Sequence, residues 1–124
     1  MRIYDFGAAT GKPITQYGSQ QLTITGVVGV IGGDVQVACM HLAPGGRVGT
    51  HQATARQFFL VVRGEGWVRG ADTERAAIVE DQAAFWESGE EHEAGSDTGM
   101  VALVIEGEPL DPDVMLRLMN DTAH

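Results

Sequence analysis

The sequence has a single cysteine, Cys39, and only eight Lys and Arg residues among 124. One cysteine excludes an internal disulfide and fits a reducing compartment. Eight cations against seventeen acidic residues leave a formal net charge of −9. Such a surface repels phosphate backbones and anionic headgroups, so nucleic acid and membrane are set aside as partners. No stretch approaches the roughly 18 consecutive apolar residues of a membrane span. The opening "MRIYDFGAATGK" carries Asp5 where a secretory signal would stay apolar. The expectation is a cytoplasmic protein.

Other signals are absent. "GAATGKP" at positions 7–13 is one residue short between its glycines for a phosphate loop, and Pro13 stands where Ser or Thr would hold magnesium. "GVVGVIGG" lacks the spacing of a dinucleotide-binding turn. Ser19, Ser88 and Ser96 have no nucleophile-elbow surroundings. No long helical pattern alternates with the apolar runs, which argues against a parallel sheet.

What is present is one domain's length, residues 1–124, seventeen glycines, and short β-type runs between Gly-bearing turns. "MRIYDF" reads as a first strand and "KPITQYGSQ" as a loop. "QLTITGVVGVI" and "DVQVACMHLA" flank a turn at Gly32-Gly33-Asp34. "QFFLVV" and "GWVRG" flank a hairpin at Gly64-Glu65-Gly66, with Arg63, Glu65 and Arg69 on the surface. "RAAIV", "AAFWE" and "GMVALVIEG" follow. About eight strands at close spacing predict an all-β double-sheet jelly roll. In "LDPDVMLRLMND", Asp111 suits an N-cap and Pro112 the first helical position, so a short C-terminal helix is expected. Its stripes pair Val114 with Leu118 and Met115 with Met119.

Four histidines remain. His51 precedes "QFFLVV", on which a period of two puts Gln57, Phe59 and Val61 on one face. His92 follows "AAFWESGEE", where Ser88-Gly89 forms a turn. Two such histidines on neighbouring strands of a barrel can share a cavity with Gln57. Phe59 and Trp86 are expected to line it. His41 joins if its side of the strand faces inward, and His124 is terminal. Glu87, Glu90, Glu91 and Glu93 crowd around His92 and read as mostly solvated.

These residues resemble the cupin superfamily, small single-domain cupins in particular, over most of the chain. The first cupin motif runs glycine, five residues, His-x-His, three or four residues, glutamate, six residues, glycine. Gly45, His51 and Gly64 match it, with Ala53 at the second histidine and Gln57 at the glutamate. In the second motif Gly89 and His92 match, while Asp81, Glu87 and Ser96 replace its glycine, proline and asparagine. The resemblance implies a jelly-roll (double-stranded β-helix) barrel, often paired as a homodimer. It also implies a divalent metal (Zn, Ni, Fe, Mn or Cu) held by His51, Gln57 and His92.

Imidazole suits these metals, but a neutral amide adds no charge to balance M²⁺. Two readings stay open. One is a metal-dependent enzyme acting on a small molecule, by dioxygenase or isomerase chemistry. The other is a non-catalytic module that binds or senses a small ligand, without metal. Runs apolar on both faces, "FFLVV" and "VALVI", favour a homodimer.

Overall fold

The computed structural model describes residues 1–28, 34–71 and 74–115. Among these, eight strands dominate: β1 (Lys12–Ile14), β2 (Gln20–Val28), β3 (Gln36–Gln52), β4 (Gln57–Arg69), β5 (Ala76–Val79), β6 (Ala83–Trp86), β7 (Glu91–Ser96) and β8 (Met100–Glu106). All pairings are antiparallel. The two long strands close the barrel. β3 pairs with β8 along its first half and with β7 along its second. β4 does the same from the other side. β1 and β2 extend the sheet beyond β3, and β5 and β6 pair with β4.

The expected period of two holds along the core strands. Gln57, Phe59 and Val61 face inward on β4, opposite Glu106, Val104 and Ala102 of β8. The same β8 residues stand opposite Gln36, Ala38 and Met40 of β3. Phe59, Val61, Val104 and Ala102 are buried with Leu22, Leu42, Ile78 and Trp86 in one cluster. Each large apolar side chain so buried contributes about 1.5–3 kcal/mol. The rung at the end of this wall, Gln36–Glu106–Gln57, is polar.

Several expectations change. "MRIYDF" forms no strand: residues 1–6 meet the barrel through side chains instead of a ladder. His41 Nε2 lies 3.2 Å from the Phe6 carbonyl oxygen, and the Thr25 hydroxyl donates to the Gly7 carbonyl. The "KPITQYGSQ" loop contains β1 and a 3-10 turn at Gln16–Gly18. Gly64-Glu65-Gly66 is no hairpin, because β4 runs through it. Here the glycines serve close approach: a Cβ on Gly66 would overlap the Gly95 carbonyl oxygen, and one on Gly64 that of Gly99. Arg63 and Glu65 are exposed as expected. Arg69 is instead partly covered and donates from Nε to Glu93 at 2.7 Å, which takes Glu93 out of solvent.

The helix begins as expected. α1 spans Pro112–Met115, and Asp111 Oδ1 accepts from the Asp113 amide at 2.9 Å. Leu118, Met119, His124 and the Gly32-Gly33 turn lie outside the described residues.

Because Gly66 packs against the Gly95 backbone, which cannot swing aside, Gly66→Ala is expected to lower unfolding free energy by about 1–3 kcal/mol. Chemical denaturation checks this; a hairpin at that position would tolerate the change.

Candidate functional site

His51 and His92 are direct cross-strand partners on β3 and β7. Strand alternation alone does not put them together. Val48 pairs with Ala94, and two residues along β7 stands His92; on β3 the same step takes three residues. This one-residue bulge turns both Val48 and His51 inward, as a bulge re-aims a side chain. It contains Gly49, whose Cβ would overlap the Tyr17 carbonyl oxygen. The Gly49 amide donates to Ser19 Oγ at 3.0 Å. These contacts seat the Gln16–Gly18 turn against β3. Tyr17, in the left-handed region at φ 60°, lays its ring on His51.

The rings form a continuous series. Tyr17 stacks on His51 at 4.5 Å, His51 meets His92 at 4.3 Å, and Trp86 stacks on His92 at 4.5 Å. Phe59 adds an edge contact to Trp86 at 5.9 Å. Each histidine is also held by its own backbone. His51 Nδ1 lies 2.8 Å from the Gly49 carbonyl oxygen, and His92 Nδ1 lies 3.2 Å from that of Glu90. A carbonyl oxygen only accepts, so each Nδ1 carries the proton. In the neutral ring Nε2 then keeps a lone pair.

A cavity of about 270 Å³ opens beside this pair. Its polar lining includes His51, His92, Gln57, Gln36 and Glu106, over apolar surface from Phe59, Trp86, Met40 and Val104. No Lys or Arg lines it among the described residues. Gln57 is 5% exposed and makes no hydrogen bond through its side chain to another described residue. No fully buried polar side-chain atom there lacks a partner, so its amide opens onto the cavity. Burial pushes His92 below its ordinary value of 6.5, and the charge of His51 adds to this, while the bond to Glu90 offsets part. Burial raises Glu106 above the ordinary 4.5, partly countered by His51.

No family model matches this sequence, and no curated protein matches it either. Solved structures do match. A predicted oxalate decarboxylase from Thermotoga maritima superposes with a TM-score of 0.72 at 19% identity, covering 84% of this chain and 98% of that one. A cupin-2 domain from Rhodospirillum rubrum gives 0.67 at 13% identity, covering 81% and 68%. The chain has the cupin fold. KdgF from a Halomonas species is also similar, with a TM-score of 0.63 at 17% identity over 75% of this chain and 87% of that one.

Within the cupin barrel, the expected residues His51, Gln57 and His92 border one cavity, with Phe59 and Trp86 among its walls. His41 does not join them. Its ring lies toward Phe6 on the outer side, because position 41 has the opposite parity to inward Met40 and Leu42. Ala53, at the second histidine position, is buried and exchanges backbone hydrogen bonds with Glu90 and Gly89. Ser96, at the asparagine position, bonds the Glu65 carbonyl and the Gly99 amide, which fixes the turn into β8. Glu90 and Glu91 are not among the residues lining the cavity.

Sequence reasoning missed Tyr17, Gln36 and Glu106. The period of two in "MVALVIE" carries Ala102 and Val104 onto Glu106, so that signal was present.

The lowered His92 value has a sign. Below about pH 6.5 the unfolded chain takes up a proton that folded His92 resists, so stability falls as pH drops toward the folded value. Glu106 acts oppositely: its contribution is complete below about 4.5 and is lost as pH rises toward its raised value. Metal-free wild type should therefore lose more stability than His92→Gln between pH 7.5 and 5.5, about one unit either side of the ordinary histidine value. Urea titrations at both pH values read the difference; equal losses would contradict it.

Proposed function

We propose that this protein is a small-molecule-processing cupin that holds a divalent metal in its barrel through His51, His92 and Gln57. The observation that carries this is the matched orientation of the two histidines. Each donates Nδ1–H to the carbonyl two residues earlier, which leaves both Nε2 lone pairs for a cation. Such backbone bonds fix the tautomer and orientation of ligating histidines. The spacing is compatible too. Two imidazoles bound at about 2.1 Å and near a right angle have centroids roughly 4.5 Å apart, and here they are 4.3 Å apart.

A bound metal would supply Lewis acidity or oxygen activation at positions left open to substrate. The chain's own residues do the rest. Nδ1–H bonding fixes the tautomer and orientation of both rings. Phe59 and Trp86 give the cavity apolar walls, and Gln57 opens its amide onto it. The cavity limits the substrate to a compact molecule. Among the solved structures of this fold, a predicted oxalate decarboxylase is consistent with small-molecule chemistry on such a barrel.

A second reading, a metal-free ligand-binding or sensing pocket, has its own support. Among the described residues no group of three His, Cys, Asp or Glu side chains gathers around one point. Calorimetric titration of tag-free protein with Zn²⁺, Ni²⁺ and Mn²⁺ separates the two. The metal reading expects saturable binding that His51→Ala and His92→Ala abolish. It also expects Gln57→Glu to tighten binding about tenfold, equivalent to about 1.4 kcal/mol. Absence of saturable binding, with Gln57→Glu only lowering the melting temperature, leaves the metal-free pocket.

We also propose a homodimer. Ile3, Tyr4, Phe6 and Val62 are exposed apolar side chains that border one surface groove, and such grouped exposure favours a partner surface. Light scattering at micromolar concentration should give twice the chain mass; a monomer would refute it. No described helix is long and apolar enough to cross a membrane.

A further inference from the structure

We infer that Glu106 supplies the negative charge that Gln57 lacks, so that the site's carboxylate has moved from β4 to the facing position on β8. The inference rests on the metal reading above. Three placements carry it. First, Gln57 and Glu106 are direct cross-strand partners on the inward face of β4 and β8. Side chains so paired have Cβ atoms only about 4.5–5.5 Å apart. A carboxylate at 106 therefore reaches nearly the same part of the cavity as one at 57. Second, among the described residues lining the cavity Glu106 is the sole acidic one, and none is Lys or Arg. Third, Glu106 forms no hydrogen bond or ion pair through its side chain to another described residue, although it is partly buried.

A partly buried carboxylate with no hydrogen bond or ion pair is costly, and pairing with or coordinating a metal offsets that cost. The nearby cation this carboxylate lacks is the one His51 and His92 are oriented to receive. His51, His92 and Glu106 do not gather around one point, so Glu106 would balance the cation's charge from across the cavity and not as a third direct ligand. Its neighbours in the same rung, Gln36 and Gln57, are neutral and do not balance its charge.

The test is a charge transposition read by calorimetric titration with Zn²⁺ and Mn²⁺, with melting of each metal-free variant alongside. Glu106→Gln should weaken binding about tenfold or more. The double variant Gln57→Glu/Glu106→Gln, with the carboxylate returned to β4, should recover affinity to within about threefold of wild type. Metal-free Glu106→Gln should melt no lower than wild type, because it removes an unpaired charge. That result would separate lost affinity from lost folding. Saturable binding in wild type that Glu106→Gln leaves unchanged overturns this inference and spares the metal reading. So does a double variant that binds no better than Glu106→Gln. Absence of binding in wild type overturns the metal reading itself, and the inference with it.

Discussion

Strand β3 has to serve two partners, and the site exists because it does. Its first half pairs with β8 and its second half with β7, so one continuous backbone spans both walls of the cavity. Gln36 stands at one end of it and His51 near the other. With β4 paired to the same two strands, the register on β8 and β7 leaves little freedom in where inward side chains fall. A one-residue slip would send every one of them outward. The polar rung Gln36–Glu106–Gln57 and the His51–His92 pair are thus consequences of the same ladder that buries Phe59 and Val104.

The departure from regularity is as important as the regularity. The bulge at Gly49 breaks alternation once and thereby brings His51 to the side of Val48. Glycine is required there because the Tyr17 carbonyl occupies the space of a side chain. The same contact sets the Tyr17 ring over His51, from where the series of rings continues through His92 to Trp86 and Phe59. Aromatic stacking on two faces, together with the Nδ1–H bonds, holds the imidazoles in place. Preorganised ligands lose less freedom when a cation or substrate arrives.

Much of the barrel was legible in the sequence. Alternation located the inward faces of β4 and β8, and the spacing from Gly45 through His51 to Gly64 pointed to the cupin fold. The helix start at Asp111-Pro112 followed from cap chemistry. What misled was local chemistry without its tertiary setting. Gly64-Glu65-Gly66 has the composition of a turn, but its glycines answer the crowding of β7 and β8. "MRIYDF" has strand composition but no ladder partner. His41 could not be assigned a side until the register of β3 was known. Tyr17 carries no motif, so only its neighbours in space give it meaning.

The central claim is that His51, His92 and Gln57 converge on a metal. Anomalous diffraction from crystals soaked in Zn²⁺ tests it most directly. The account predicts one strong peak in the cavity, about 2.0–2.2 Å from Nε2 of both His51 and His92, with the Gln57 amide oxygen beside it. A cavity without a peak, while zinc occupies surface carboxylates, would contradict it.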